Sequence, residues 1–232
     1  MIKAQFKETE EGTGWAEMFH GIRGIYTVLL NIGIGVHAID IFVIATVMPA
    51  VVAEIGGVEF YAWTTMLYMV GTVVGAAAGR YARSVYGRRK SYLASGFIFL
   101  FGALGCAIAP NMLILLCFRM LEGIGGGLLM SQSYTLVNDL YTGKLRTRAL
   151  ATITTTWSIA SVLGPMIGGI WGSIGIWRGA FFTTSAITVV FIIAAWRVIP
   201  EGDPGDRHRL PIRRLTLLAA SVIMVGASGQ FE

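Results

Sequence analysis

Charged residues are scarce in this chain of 232 residues: Asp, Glu, Lys and Arg make up 13% of it, whereas hydrophobic residues make up 55%. Soluble domains carry about 25% charged residues, so the composition excludes an ordinary soluble protein and favours an integral membrane protein. No stretch of membrane-spanning length alternates polar with apolar residues, as the strands of a barrel do. The apolar runs are therefore predicted to be helices, whose backbone groups hydrogen-bond to one another.

Cysteine and histidine are also rare, with two and three residues. Cys106 and Cys117 lie inside apolar runs, which does not indicate a disulfide framework and favours two thiols packed as small apolar groups. The histidines lack the spacing of metal ligands, and no nucleophile elbow or metalloprotease pattern occurs. We therefore expect no metal, no cofactor and no enzymatic activity.

Six apolar runs have about the 20 residues that are needed to cross a bilayer. They cover approximately residues 26–50, 60–78, 92–109, 112–137, 149–174 and 180–198. The sequence thus predicts an all-α membrane protein with six transmembrane helices, forming a bundle over residues 25–199.

Three further segments flank the predicted bundle. Residues 1–24 form an N-terminal segment in which Trp15, Met18, Phe19 and Ile22 recur at the spacing of a short interfacial helix. The polar stretch 200–214 contains proline and glycine and is typical of a linker. Residues 215–232 begin a seventh apolar run that is too short to span the membrane and is interpreted as an incomplete helix.

Basic residues are distributed unevenly around the predicted spans. Of the eighteen Lys and Arg residues, sixteen lie before the first span, in the second and fourth connections, or from the end of the sixth span onward. Arg178 lies in the fifth connection and Arg119 inside the fourth span. Since basic residues collect on the cytoplasmic side, the N-terminus and the linker are predicted to be cytoplasmic. Orientation and contact with anionic lipid explain the net charge of +5 without nucleic-acid binding.

Helix-breaking residues occur inside the fifth span, in the stretch SVLGPMIGGIWG over residues 161–172. Between helices in lipid, small residues allow close backbone approach, and a proline bends the helix where neighbours can accommodate it. These residues are Gly164, Pro165, Gly168, Gly169 and Gly172. They predict a kinked helix with a thin packing face, and simple helix packing accounts for them as well as a functional role does.

A few ionisable residues lie at membrane depth, namely Asp40, Arg119 and Glu122, with His37 as a fourth candidate. A charge there is costly unless it is paired or faces water. Arg119 and Glu122 are three residues apart, as are His37 and Asp40, so each pair shares a helix face. A buried carboxylate beside a guanidinium can take or release a proton as its exposure changes. This predicts a proton-coupling site in which Asp40 or Glu122 carries the proton and Arg119 tunes it; a static ion pair is the alternative.

Several stretches together resemble the major facilitator superfamily, in its fourteen-helix drug:proton antiporter branch. Gly164, Pro165, Gly168 and Gly169 match the antiporter motif G-x-x-x-G-P-x-x-G-G, with Ala160 in place of the first glycine. The other similar stretches, in chain order, are DIFVIATVMP (40–49), WTTMLY (63–68), RMLEGIGGG (119–127), with Glu122 for the usual glutamine, and WRGAF (177–181). The resemblance covers roughly residues 25–227 and implies the N-terminal half of such an antiporter.

The connection between the second and third spans departs from the family pattern G-x-x-x-D-R-x-G-R-R. This chain has GRYARSVYGRRK over residues 79–90, one residue longer and with Arg83 near the expected aspartate. In the family that acid helps to latch the two halves, so its absence puts a gating role in doubt. A tight basic turn that fixes orientation explains Gly79, Gly87, Arg88, Arg89 and Lys90 and is the favoured interpretation.

The resemblance implies proton-coupled efflux of small amphipathic or drug-like molecules by alternating access, with the lipid bilayer, protons and a small-molecule substrate as partners. Because the chain supplies one half of such a transporter, it would need a separately encoded second half or a homodimer partner. The alternative is a non-transporting subunit or truncated fragment that binds or regulates a partner. The branch resembled implies a bacterial inner membrane.

The charge distribution predicts that the connections at 79–90 and 140–148 lie on the same face of the membrane. In a background of Cys106→Ala and Cys117→Ala, an impermeant thiol reagent should label Tyr86→Cys and Thr142→Cys only from the cytoplasmic side. Gly175→Cys, in the fifth connection, is the control and should be labelled only from the opposite side. Labelling of the two basic connections from opposite faces would contradict the predicted topology.

Overall fold

The computed structural model describes residues 15–201 together with residues 216, 220 and 224. The predicted linker (200–214) and the incomplete seventh helix (215–232) therefore lie almost entirely outside the described residues, as do the first fourteen residues. The described elements are α-helices joined by short connections and one 3₁₀ turn at Val58–Phe60. The helices are α1 (Ala16–Phe19), α2 (Gly21–Ile55), α3 (Tyr61–Ala107), α4 (Met112–Leu140), α5 (Gly143–Ser173) and α6 (Arg178–Val198).

Five helical segments among the described residues are long and apolar enough to cross a membrane, which confirms the all-α membrane class. Their bounds are Arg23–Ile55, Val58–Ala107, Met112–Leu140, Gly143–Ser173 and Arg178–Val198. The count differs from the predicted six, because the predicted second and third spans both fall within α3.

A bend at Gly87 divides α3 into two arms, residues 61–86 and 88–107. Gly87 has φ 76° and ψ 176°, values outside the helical region, while helical hydrogen bonding continues on both sides. This backbone conformation is essentially restricted to glycine. The sequence predicted a connecting turn over residues 79–90, and the structure shows a bend at one glycine of that stretch without a separate loop.

The first arm of α3 runs parallel to α4. Gly75 lies against the backbone of Ile124, and further along both helices Gln132 Nε2 donates to the Gly79 carbonyl at 3.0 Å. Residue numbers therefore rise together in the two helices. Glycines at these contacts let the two backbones approach closely, which favours association where lipid surrounds the helices.

The second arm of α3 runs antiparallel to α4. Gly102 lies against the backbone of Glu122, whereas Gly105, further along α3, lies against Phe118, which comes earlier in α4. Residue numbers fall in one helix as they rise in the other. The two arms of α3 thus run in opposite directions along the same neighbour.

The short helix α1 packs against the cytoplasmic end predicted for the bundle. Met18 is fully buried, whereas Trp15 and Phe19 are about half exposed. The Thr27 hydroxyl donates to the Met18 carbonyl at 3.1 Å and shares a hydrogen bond of 2.6 Å with the Tyr141 hydroxyl. The predicted interfacial segment therefore contains a four-residue helix anchored by Met18.

The opposite end of the bundle is held by contacts between three helix ends. Glu54, near the end of α2, pairs with Arg178 at the start of α6 and accepts a hydrogen bond from Trp177 Nε1 at 2.8 Å. Arg178 also donates to the Ala109 carbonyl beyond the end of α3 at 3.2 Å. These residues, Glu54, Ala109, Trp177 and Arg178, are called the end clamp below.

Gly87→Ala should destabilise the fold, because alanine cannot adopt the Gly87 conformation without strain. We expect the free energy of unfolding in detergent micelles to fall by about 1–3 kcal/mol. Gly169→Ala is the matched control: Gly169 lies within α5, and a Cβ there would meet no described atom within 4 Å. That variant should be neutral or slightly more stable, since alanine favours helix. Equal losses for both variants would show that the bend does not require glycine.

Candidate functional site

Four ionisable side chains from α2 and α4 are buried together in the middle of the bundle. Asp40, Arg119 and Glu122 have no exposed surface, and His37 has 1%. The structure therefore brings together the side chains that the sequence singled out at membrane depth. Arg119 and Glu122 are one turn apart on α4, whereas Asp40 reaches them from α2.

Arg119 links the two carboxylates through a single nitrogen. Its Nη1 donates to Asp40 Oδ2 at 2.7 Å and to Glu122 Oε2 at 2.7 Å. Hydrogen bonds of this length between charged groups are the stronger kind. The contact to Asp40 is made between helices, so the ion pair also ties α2 to α4.

The cluster of Asp40, Arg119 and Glu122 has more negative than positive groups. With both carboxylates ionised its net charge is −1, and one bound proton makes it neutral. Excess charge is costly in a buried site. Among the described residues, Asp40 Oδ1 and Glu122 Oε1 have no hydrogen-bond partner. The arrangement is therefore chemically suited to hold one exchangeable proton.

Tyr68, from the first arm of α3, packs directly on this cluster. The Arg119 guanidinium lies 4.1 Å from the centroid of the Tyr68 ring. The Tyr68 hydroxyl is hydrogen-bonded to His37 Nδ1 at 2.8 Å, and both side chains are buried. Trp157 of α5 meets the His37 ring edge-on, with the centroids 6.0 Å apart.

A thiol from the second arm of α3 completes the surroundings of Glu122. Cys106 is fully buried, and its Sγ donates to Glu122 Oε2 at 3.6 Å. The second arm reaches this position because Gly102 lies against the Glu122 backbone. Glu122 Oε2 therefore has donors from both α3 and α4.

Two glycines of the antiporter motif bring α5 against the part of α2 that carries Asp40. Gly164 packs against the Phe42 side chain, and Gly168 packs against Thr46. Pro165 lies within α5, which continues through it to residue 173. Gly169 points away from these contacts, since a Cβ there would meet no described atom within 4 Å.

The basic connection at 79–90 faces an acid from α4. Arg83 and Arg88 both pair with Asp139 near the end of α4, with 3.4 Å between Arg88 Nη2 and Asp139 Oδ2. Arg83 stands near the position of the family's aspartate, so the acid opposite this connection is supplied by another helix. Arg89 lies within 3.4 Å of Glu201.

Three contributors to these sites were not identified from the sequence: Tyr68, Cys106 and Asp139. Tyr68 is the last residue of the stretch WTTMLY, which resembles a family motif. No sequence pattern, however, predicted its contact with Arg119. Cys106 looks like any small apolar residue, and Asp139 like an ordinary helix-end acid. In the described part of the chain, no group of three His, Cys, Asp or Glu side chains could hold a metal ion.

Comparison with known proteins gives concordant results. Residues 30–230 match the family model of the Major Facilitator Superfamily. A protein of Mycobacterium tuberculosis strain H37Rv named Probable multidrug-efflux transporter is 34% identical over 230 residues, 95% of this chain and 49% of its own length. The multidrug transporter protein MdtP of Bacillus subtilis strain 168 is 34% identical over 177 residues, 75% of this chain and 32% of its own. The resemblance inferred from the motifs is thereby confirmed.

Solved structures share the fold of the chain. The peptide transporter POT in complex with sulfate superposes with a TM-score of 0.71 at 16% identity, covering 97% of this chain and 48% of the transporter. A D-xylose–proton symporter gives a TM-score of 0.68 at 17% identity, covering 90% of this chain and 53% of the symporter. The chain spans about half the length of the Mycobacterium relative and of these transporters, and about a third of MdtP.

Arg119→Met should leave two buried carboxylates without their shared donor. Breaking a buried ion pair costs about 3–5 kcal/mol, and we expect the free energy of unfolding in detergent to fall by that amount. Combining Arg119→Met with Asp40→Asn and Glu122→Gln should recover most of the lost free energy of unfolding, because no unpaired charge then remains buried. The control is Glu54→Gln in the end clamp, where both partners are partly exposed and the loss should be much smaller. A triple variant no more stable than Arg119→Met would contradict this account.

Proposed function

The chain belongs to the major facilitator superfamily, and we propose on this premise that it forms one six-helix half of a proton-coupled exporter of small amphipathic or drug-like molecules. It is an integral membrane transporter protein related to multidrug efflux pumps, and its family comprises transporters rather than enzymes. The observation that carries the proposal is the buried cluster of Arg119 between Asp40 and Glu122.

Six membrane crossings are supported by the geometry of α3. A straight helix of 47 residues would be about 70 Å long at 1.5 Å per residue, more than twice the hydrocarbon thickness of about 30 Å. Its two arms instead run in opposite directions along α4, with Gly87 at the bend. We assign each arm to one crossing, which gives six with the other four long helices.

The proposed orientation has the N-terminus in the cytoplasm of a bacterium and the bundle in its inner membrane. The ion pairs of Arg83 and Arg88 with Asp139 and of Arg89 with Glu201 gather the basic connections at one end of the bundle. The guanidinium of Arg148, at the next basic connection, lies 5.6 Å from the Trp15 ring centroid at the same end. The end clamp lies at the opposite end, which we assign to the outside.

Proton coupling follows from the charge of the cluster. With one proton on Asp40 or Glu122 the site is neutral and stable in a dry interior; with both ionised it carries an excess charge that favours access to water. Protonation thus biases the bundle between a closed and an open arrangement. Gly164 and Gly168 pack α5 against the α2 segment that carries Asp40, so α5 is placed to move with it.

Alternating access in this family's architecture needs two halves that rock about a central site. The chain covers about half of its Mycobacterium relative, and α5 is the least buried of its long helices. We therefore propose that a second half, separately encoded or supplied by another copy in a homodimer, covers the face that includes α5. That the chain covers about half of this relative also fits a second candidate function. In it, the chain is a non-transporting subunit or fragment that binds and regulates a partner transporter.

Neutralising the carboxylates should distinguish these two functions. The chain is reconstituted into liposomes with the second half of the Mycobacterium relative, and extrusion of a fluorescent lipophilic cation is followed under an imposed proton gradient. We expect Asp40→Asn or Glu122→Gln to abolish gradient-dependent transport, because the cluster can no longer exchange its proton.

Glu59→Gln is the control, since Glu59 is an exposed acid in the 3₁₀ turn and should retain transport. A homodimer is tested by the same assay with the chain alone. Gradient-driven transport that is unaffected by both cluster variants would refute the coupling role. If transport appears in neither preparation while the chain changes the activity of an intact relative, the regulatory function is favoured.

A further inference from the structure

We propose that Tyr68 and His37 are positioning residues that hold the Arg119 guanidinium on its two carboxylates and thereby set the pH at which the cluster binds its proton. The inference rests on the proposed function, because it names residues that tune the same site. Tyr68 lies directly on the Arg119 guanidinium, and His37 is hydrogen-bonded to Tyr68. Both residues are therefore placed to act on the position of Arg119.

Tyr68 covers one face of the guanidinium. The distance of 4.1 Å between the guanidinium carbon and the ring centroid is that of a cation–π contact, which is worth most where water is excluded. Tyr68 has no exposed surface. Because Arg119 uses the single atom Nη1 for both carboxylates, a small shift of the guanidinium would weaken both hydrogen bonds together.

His37 fixes the far end of the Tyr68 ring. The hydrogen bond of 2.8 Å between the phenol oxygen and His37 Nδ1 joins α3 to α2. Gly126 of α4 provides the space for this pair, since a Cβ there would collide with His37 Nδ1 and lie 3.1 Å from the Tyr68 hydroxyl. The ring is therefore held by α2 on one side and by Arg119 of α4 on the other.

The groups around Tyr68 come from each helix that packs on the cluster. Helix α5 contributes the Trp157 ring, which does not titrate and touches His37. The titratable or charged groups are His37 and Asp40 from α2, Cys106 from the second arm of α3, and Arg119 and Glu122 from α4. Arg119 is the group of this set that donates to both carboxylates, so loosening it removes stabilisation of their ionised forms.

We expect the pH midpoint for protonation of the cluster to rise when Tyr68, or its hydrogen bond to His37, is removed. Tyr68→Phe deletes only the hydroxyl, and Tyr68→Leu deletes the ring face as well. We expect a small upward shift for the first and a shift of about one pH unit or more for the second, the size typical of altered charge partners. His37→Leu should match Tyr68→Phe, and the two together should shift no further than either alone. His37→Gln, which keeps an acceptor for the hydroxyl, should stay close to the parent.

Infrared difference spectroscopy of the reconstituted full chain measures this midpoint without any transport assay. The carbonyl stretch of the protonated carboxyl is followed against pH, and the band that disappears in the variant with both Asp40→Asn and Glu122→Gln identifies the cluster. Tyr92→Phe is the matched control, because Tyr92 is buried and its hydroxyl bonds a side chain at 2.6 Å, that of Ser133. Its midpoint should equal that of the parent.

An unchanged midpoint in Tyr68→Leu and Tyr68→Phe, with the cluster band present and helical content retained, would overturn the proposal. Equal shifts in Tyr92→Phe would also overturn it, since they would reflect general loosening of the bundle. A shifted midpoint in a chain that does not transport would support the positioning role while counting against the proposed exporter. The two conclusions are thus separated by one set of variants.

Discussion

The centre of the bundle depends on one constraint: two buried carboxylates, Asp40 and Glu122, share a single guanidinium nitrogen of Arg119. Asp40 belongs to α2 and Glu122 to α4, so the two hydrogen bonds of Arg119 fix how these helices sit against each other. In a dry interior an unpaired carboxylate is costly. Separating the helices at this point would leave a buried carboxylate without its donor, so the contact that pairs the charges also holds α2 against α4.

Close backbone approach makes this arrangement possible. Lipid offers helices little hydrophobic reason to associate, so contact depends on small residues that bring backbones together. Because Gly102 has no side chain, the second arm of α3 can pack against the backbone of Glu122. Gly164 likewise lets α5 pack against the turn of α2 that follows Asp40. Larger side chains at these positions would hold the helices apart, and the charges at the centre would lose their partners or their isolation from lipid.

The sequence was sufficient to single out Asp40, Arg119 and Glu122 as partners at membrane depth, because charges are rare in apolar spans, and the structure shows them paired. It also predicted a connection over residues 79–90, but not that the backbone there is helical except at Gly87. The sequence alone does not show which of its residues leaves the helical conformation. Tyr68 and Cys106 could not be assigned, because such residues are common in apolar helices. Their roles arise only when both arms of α3 pack on α4.

The end clamp joins three parts of the chain at the end of the bundle opposite the basic connections. Glu54, Trp177 and Arg178 fasten the end of α2 to the start of α6, and the Ala109 carbonyl adds the connection after α3. Glu54 and Arg178 are partly exposed, whereas Asp40 and Arg119 are fully buried. Because water competes for an exposed ion pair, α2 is held less firmly at the end clamp than at the cluster.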